Sequence, residues 1–287
     1  MIIVIGKQGQ LAWELAQLTD ASELVCLGRD DIDITSPTSI EDTLGAYSAT
    51  AIINASAYTA VDKAETDSDN AFFINATAVT NLAYYAKQHD LHFVHVSTDY
   101  VFAGDKGSPY LVDDAKAPTG VYGASKSQGE DEIMAICPEQ AAIIRTSWVY
   151  SSHGNNFVKT MLRLMAEKPQ LGVIDDQIGS PTWARGLAEA CLYAATNRVC
   201  GIHHWTDSGV ASWYDFAVMI QRLAIEKGLL KVAVPVLPIG TKDYPTPAKR
   251  PHYSVLDKAS LAGQFRDVKR RHWVDALNCM LDQLKPD

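Results

Sequence analysis

The chain has 287 residues, of which 47% are hydrophobic and 21% charged, a composition that excludes a disordered chain and calls for one large domain or a domain with a smaller satellite. Lys and Arg number 25 against 34 Asp and Glu, a net charge of -9, so the surface repels phosphate backbones and nucleic acid is not an expected partner. Five scattered cysteines without a Cys-x-x-Cys pair give neither a disulfide framework nor a zinc site.

The N-terminal apolar run is stopped at Gly6, too early for a signal peptide, and no later stretch is long enough to span a membrane. A cytoplasmic protein with reduced thiols is expected. Apolar runs at 2–5, 24–27, 51–54, 93–96 and 142–145 read as short strands buried on both faces. Between them, 10–18 places Leu11, Leu15 and Leu18 on one helical face, and 70–87 does the same with Phe73, Ala76, Val79 and Ala83. Strands alternating with crossover helices predict an α/β fold with a doubly wound parallel sheet.

From about residue 151 the rhythm changes. Helices are predicted at 156–167, 184–197, 212–227 with Ser212 as N-cap, and near 274–284. A short strand is expected near 202–205, and an irregular stretch holds Asp175-Asp176-Gln177 and the turn Gly179-Ser180-Pro181. The expected organisation is a dinucleotide-binding domain over 1–150 and a smaller α+β substrate-binding region over 151–287, with segments that return to the sheet. His92, His95 and His203 lie in or beside strands and are expected to be structural. Trp205 and Trp213 are expected to pack the smaller domain. The basic run Lys269-Arg270-Arg271-His272 reads as a solvated stretch before the last helix.

Directly after the first strand comes Gly6-Lys7-Gln8-Gly9-Gln10-Leu11-Ala12. In a strand–turn–helix setting Gly6 allows the tight turn, Gly9 lets backbone approach a pyrophosphate, and Ala12 keeps the helix close to the sheet. The pyrophosphate would lie on the helix N-terminus, where free N–H groups favour anions. The second strand ends in Gly28-Arg29-Asp30-Asp31. Arg29 suits the 2′-phosphate of NADPH and the acids suit the ribose of NADH, so both cofactors stay open.

In Tyr122-Gly123-Ala124-Ser125-Lys126 the tyrosine and lysine stand one helical turn apart. A tyrosine with its ordinary pKa near ~10 is a weak acid–base group at neutral pH, and a lysine ammonium beside it favours the phenolate. The run Val96-Ser97-Thr98-Asp99-Tyr100 sits at the carboxyl end of the fourth strand, where ligand chemistry collects in open α/β sheets, and offers Thr98 as a donor to a substrate oxygen.

Together with Asn54-Ala55-Ser56-Ala57-Tyr58-Thr59-Ala60-Val61-Asp62-Lys63-Ala64-Glu65, Arg145-Thr146-Ser147-Trp148-Val149-Tyr150, Asp176-Gln177, Gly179-Ser180-Pro181-Thr182 and Arg250-Pro251, these motifs make the chain resemble the dTDP-4-dehydrorhamnose reductase family over nearly its whole length. The resemblance implies a Rossmann-type doubly wound sheet of the extended short-chain dehydrogenase/reductase kind, an NADPH or NADH cofactor and a nucleotide-sugar substrate. By the same resemblance Gly9, Gln10 and Leu11 contact the pyrophosphate, and Asp33 and Ile34 flank the adenine. Ala57, Tyr58 and Thr59 line the cofactor path with Val96, and Asn75 faces the site from the following helix. Thr98, Asp99 and Tyr100 meet the sugar, and Trp148 packs beside it. Ala12 and Ser56 depart from the Gly and Ala usual in the family.

The reaction so implied is reduction of the C4 ketone of dTDP-6-deoxy-L-lyxo-4-hexulose to dTDP-L-rhamnose, with Thr98, Tyr122 and Lys126 as the catalytic set. Related 4,6-dehydratases carry Glu where this chain has Tyr100, which disfavours dehydration. Another 4-keto reductase, an epimerase or a non-catalytic nucleotide-binding subunit are the alternatives. Some members of the family hold magnesium at a dimer contact. Glu14 and Glu189 are candidates for that role and Gln283 stands where a third ligand would lie, but no metal site is assigned. A homodimer and a monomer are both compatible with the sequence.

Overall fold

The computed structural model describes residues 1–259 and 261–284. The first half runs β1 (Ile2–Ile5), α1 (Gln10–Ala16), β2 (Leu24–Leu27), α2 (Pro37–Leu44) and β3 (Ala51–Asn54). Two short helices follow, α3 (Val61–Ala64) and α4 (Ser68–Phe72), then a π-helical turn (Phe73–Thr77) and α5 (Ala78–Gln88). Next come β4 (His92–Thr98), a 3-10 turn (Asp99–Val101), α6 (Val121–Ile136) and β5 (Ala141–Thr146). The second half has β6 (Val149–Tyr150), α7 (Phe157–Glu167), β7 (Leu171–Ile174), β8 (Ile178–Gly179) and β9 (Thr182–Trp183). It continues through α8 (Ala184–Thr196), β10 (Gly201–His204), β11 (Ala211–Ser212), α9 (Trp213–Glu226), β12 (Val236–Ile239), α10 (Leu261–Gln264) and α11 (Trp273–Leu281).

Six strands form one parallel sheet in the order β10-β5-β4-β3-β1-β2. Successive side chains of a strand point to opposite faces, and here both faces are apolar. Ile2, Val4, Ile53, Val94 and Ile144 pack against α1 and α8. Ile3, Ile5, Ile52, Phe93 and Ile143 pack against α2, α5 and α6. Each fully buried side chain of this size contributes about 1.5–3 kcal/mol, so either face alone would hold its helices. The strand order reverses between β1 and β3, which opens a crevice at their carboxyl ends.

The second half is not a detached satellite. Its α8 and β10 belong to the sheet layer, and Trp205, expected in the smaller domain, lies 1% exposed in the core under α1 and α8. The reason is chain direction: Trp205 N–H donates to the Arg145 carbonyl, carrying the register of the sheet one residue past β10. A separate core gathers α7, α9 and α11 around Phe216, Ile220 and Leu277, and Trp213 packs on it as expected. Ser212 caps α9 through a full capping box with Asp215. The stretch read as irregular contains a strand: β7 pairs in parallel with β12, from Leu171 opposite Val236 to Ile174 opposite Ile239.

Two features lock the halves together. Glu14, fully buried on α1, accepts hydrogen bonds from Ser151 Oγ at 2.7 Å and Trp183 Nε1 at 3.1 Å, and Arg185 Nε lies 3.2 Å from its other oxygen. The chain between Arg250 and Asp257 threads between the two halves: His252 O accepts from Ile178 N–H, Tyr253 N–H donates to Gly104 O, and Val255 O accepts from Tyr110 N–H. Glu189 pairs with Arg271 at 3.3 Å and Gln283 accepts from Ser152 Oγ at 2.8 Å. Both glutamates thus stand beside arginines within the chain. No described helix is long and apolar enough to cross a membrane.

Beneath the sheet's last strands Arg145 and Glu130 form a buried bidentate pair at 2.9 and 2.7 Å. A buried pair gains little over apolar packing, but losing one partner strands the other charge. Glu130→Leu is therefore expected to cost about 3–5 kcal/mol in chemical denaturation, and adding Arg145→Met should recover much of that loss. A single variant within about 0.5 kcal/mol of the parent would show that the pair is solvated or compensated.

Candidate active site

At the crevice between β1 and β3 lies a cleft of about 980 Å³. Gly6, Gly9, Arg29, Asp33, Ile34, Ala57, Tyr58 and Thr59, all singled out from sequence, are among its lining residues. Gly6 has φ +114°, and a Cβ there would stand 3.0 Å from the Ala55 backbone, so the turn requires glycine. Gly9 is the N-cap of α1 and brings no side-chain cap, which leaves the first-turn N–H groups of Gln10 and Leu11 free of intrahelical partners. The side chains of these two residues point elsewhere. Leu11 is buried in the core, and Gln10 Oε1 accepts from Asn156 Nδ2 at 2.9 Å. His153 stacks on Trp13 at 5.4 Å, so its loop lies against α1.

The charges after β2 divide cleanly. Asp31 accepts from Gly28 N–H at 2.8 Å and pairs with Lys7 at 3.4 Å, and these contacts hold its carboxyl below the usual range. Asp33 accepts from the Thr35 hydroxyl and N–H at 2.6 and 2.9 Å and is lowered by them. Arg29 stands exposed on the cleft, outside the described ion pairs.

The loop 55–59 is braced from behind. Asn75 Oδ1 accepts from Tyr58 N–H at 2.8 Å, and its Nδ2 donates to the Tyr58 carbonyl at 3.1 Å and to Ser125 Oγ at 3.0 Å. Ser125 Oγ in turn donates to the Tyr122 carbonyl at 2.8 Å. The Asn75 side chain thus joins the loop to α6. A π-turn carries it, the extra residue turning Asn75 inward, and Gly129 of α6 packs so close that a Cβ would lie 2.2 Å from the Asn75 carbonyl oxygen.

Thr98, Asp99, Tyr100, Tyr122 and Lys126 converge at the carboxyl end of β4. Thr98 Oγ1 accepts from Tyr100 N–H at 3.2 Å and donates to Asp99 Oδ1 at 3.0 Å. Burial pushes Asp99 up to about 6 against hydrogen bonds from Ser254 and Thr98. The Tyr100 and Tyr122 rings meet edge-on at 5.5 Å, and burial raises Tyr100 to about 12. Arg250, which pairs with Asp62 at 2.8 Å, pulls Tyr100 back down.

The lysine was expected to favour the Tyr122 phenolate. Instead the Tyr122 phenol is raised, chiefly by burial and further by Asp99 and Tyr100, with only Thr98 opposing. The cause is where the lysine points. Lys126 Nζ, 1% exposed, donates to the Val96 carbonyl at 2.8 Å and meets His95 Nε2 at 2.9 Å. Burial lowers Lys126 to about 8, with Glu130 opposing. His95 is therefore not merely structural. Its Nδ1 meets Asn54 Nδ2 at 3.1 Å, which builds a polar chain behind the lysine. Sequence reasoning gave Asn54, His95, Ser125, Asp62 and Ser254 no individual role in the site. For Asn54 and His95 the available signal was a polar residue closing or interrupting a strand otherwise buried on both faces; Ser125, Asp62 and Ser254 lie outside strands and carried no such mark.

Trp148 packs with the aromatic cluster of the second half, stacked on Trp213 at 3.6 Å between centroids. It has φ +49°, a strained backbone for so large a residue, and Gly179 leaves room for its ring, since a Cβ there would lie 2.5 Å away.

Comparison with known proteins agrees with this geometry. The family described as the RmlD substrate binding domain matches residues 1–285. A dTDP-4-dehydrorhamnose reductase of Escherichia coli is 39% identical over 99% of this chain and 97% of its own. The crystal structure of a dTDP-4-dehydrorhamnose reductase from Clostridium acetobutylicum superposes with a TM-score of 0.92 at 37% identity, covering 98% of each chain. The enzyme of that name from Bacillus anthracis, solved in complex with NADP, does so with a TM-score of 0.92 at 32% identity over 99% of each. Matched by this family over nearly its whole length and by relatives at 37–39% identity, the chain belongs to the dTDP-4-dehydrorhamnose reductase family.

Proposed function

We propose that this chain reduces the C4 ketone of dTDP-6-deoxy-L-lyxo-4-hexulose to dTDP-L-rhamnose with NADPH, working in the cytoplasm on a nucleotide-sugar substrate. The convergence of Thr98, Tyr122 and Lys126 at the carboxyl end of β4 carries the reading. The cleft fits a dinucleotide: Gly6 and Gly9 admit close backbone approach, the first turn of α1 offers free N–H groups, and the loop 55–59 is held rigid by Asn75. Arg29, unlike the engaged acids beside it, is placed to meet a 2′-phosphate, which favours NADPH over NADH. When bound, the nicotinamide supplies the hydride.

The chain's own residues handle the proton and the charge. Tyr122 Oη gives its proton to the alkoxide that develops at the former carbonyl oxygen. A raised phenol suits this task, since it keeps the proton until a stronger base appears. Thr98 Oγ1 must turn its hydrogen from Asp99 Oδ1 to reach that oxygen. The raised Asp99 carboxyl is the weaker claimant for it when protonated. Asp99 and Tyr100 bound the sugar side, Trp148 offers an apolar wall from the second half, and Lys126 holds the nicotinamide ribose.

The direct test follows oxidation of NADPH, and separately NADH, by the enzymatically generated 4-keto sugar nucleotide. Tyr122→Phe should lower kcat roughly 100- to 10,000-fold while leaving NADPH binding intact. Binding of NADPH without any turnover in the parent would sink the reductase reading. Arg29→Ala should cut kcat/KM roughly tenfold to a hundredfold with NADPH and little with NADH. Equal losses with both cofactors would remove Arg29 from the 2′-phosphate site.

Asp99 also makes a stability prediction. Its carboxyl rises from the ordinary 3.8 to about 6 on folding, so the folded state prefers the neutral form. Stability is therefore lost as pH climbs from about 4 to about 6, by about 2–3 kcal/mol for a shift of this size. Asp99→Asn should escape that loss. Denaturation midpoints of parent and variant should separate in the variant's favour between pH 4 and pH 7, and parallel profiles would mean the carboxylate is stabilised in place.

A further inference from the structure

The polar chain behind Lys126 has only one consistent arrangement of hydrogens. Ser56 N–H is a fixed donor, and it donates to Asn54 Oδ1 at 3.1 Å, with the Ser56 hydroxyl adding a second bond at 2.7 Å. The Asn54 oxygen must therefore face Ser56, and its Nδ2 must face His95 Nδ1 at 3.1 Å as the donor. A His95 Nδ1 that accepts leaves the imidazole hydrogen on Nε2, and Nε2 points at Lys126 Nζ from 2.9 Å. An amine at Nζ completes this set: its lone pair accepts Nε2–H, one hydrogen goes to the Val96 carbonyl at 2.8 Å, and one is left for the active site. An ammonium there meets a donor with a donor, which does not exclude it but makes it a readier proton donor. Relieving that clash would need the imidazole hydrogen on Nδ1, against the Asn54 amide, and then a flipped Asn54 against Ser56 N–H.

We propose that His95, oriented by Asn54, is a positioning residue that sets the protonation state of Lys126 by presenting Nε2–H to Nζ, so that the lysine passes between ammonium and amine during turnover. The inference rests on the reading of Lys126 as part of the catalytic set. Tyr122 Oη gives its proton to the alkoxide, and the phenolate regains one from the ammonium through an intervening water. The amine left behind accepts His95 Nε2–H, and a hydronium from solvent restores the ammonium. The cycle consumes one proton, as reduction of a ketone by hydride requires. The other charged or titratable groups about the lysine are Tyr122 and Glu130 on its own helix, with Glu130 already paired to Arg145 of β5 and near Lys116, and Asp99 beyond Tyr122. The lowering of Lys126 by burial acts in the same direction.

The test is the side-chain 15N spectrum of the full-length protein labelled at histidine and lysine, with His95→Gln identifying the His95 signals. His95 should show a protonated Nε2 and a bare Nδ1 across neutral pH. Asn54→Asp, which can only accept at that position, should move the hydrogen to Nδ1. In the same variant the Lys126 Nζ titration and the basic limb of the pH–rate profile should rise by roughly one unit or more. A parent spectrum with Nδ1–H would overturn the proposal without need of any variant. A rise of the basic limb with no change of tautomer would trace to the added carboxylate alone and would overturn it too. Absence of turnover with the tautomer as stated would count against the reductase reading and leave the hydrogen arrangement standing.

Discussion

Lys126 is 1% exposed, and a basic nitrogen placed so deep must find its partners in protein. The surrounding architecture answers that demand. β4 turns the Val96 carbonyl and His95 toward α6, and α6 approaches closely enough to receive them because Gly123 and Gly129 remove side chains where it crosses Tyr100 and Asn75. The same approach places Tyr122 against Tyr100 and Thr98, and lets Ser125 reach Asn75. One packing distance thus fixes the lysine, the tyrosine and, through Asn75, the loop that walls the cleft.

The cleft belongs to the first half, yet the site is finished by the second. Glu14 ties α1 to Ser151, Trp183 and Arg185, and Asn156 holds Gln10, so the helix that would carry the pyrophosphate is anchored by residues far along the chain. The stretch from Arg250 to Ser254 does the same for the catalytic end, with Arg250 on Asp62 and Ser254 on Asp99. Polar contacts of this kind, partly buried and in two cases ionic, add little net stability, but they fix where the halves meet.

How much of this could be read from the residues depended on range. The strands of the sheet are local, and their apolar runs mark them to within a residue or two, whereas α2 and the full length of α6 left no such periodic mark and 70–87 read as one helix where a π-turn divides two. The turn at Gly6 and Thr98 could be singled out because each is a short motif at a strand end, and Tyr122 and Lys126 because they stand one turn apart on α6. What was not legible arises from contacts distant in sequence: β7 is a strand only because β12 pairs with it, and Trp205 leaves the smaller core because β10 returns to the sheet. The π-turn that redirects Asn75 has no periodic signature, so the bonds from its side chain to the loop behind it were not foreseen. His95 looked structural for the same reason. Nothing near it in sequence shows that a lysine on another element ends at its ring.

The direction of the tyrosine shift bears on which form the site holds at rest. An oxidation, or the first step of an epimerisation, begins with a base that takes a proton from a sugar hydroxyl, and a phenol raised by burial and by Asp99 holds little of that base at rest. A reduction begins with the phenol intact and needs its proton only once hydride has made an alkoxide that can take it. The lysine held back against Val96 and His95 leaves Tyr122 protonated until that moment, and can then supply a charge or a proton as the phenolate appears. A tyrosine held protonated by its surroundings is matched to give up that proton as the alkoxide forms, and the same group takes it back in the reverse reaction, so the shift describes the resting acid and not a preferred direction.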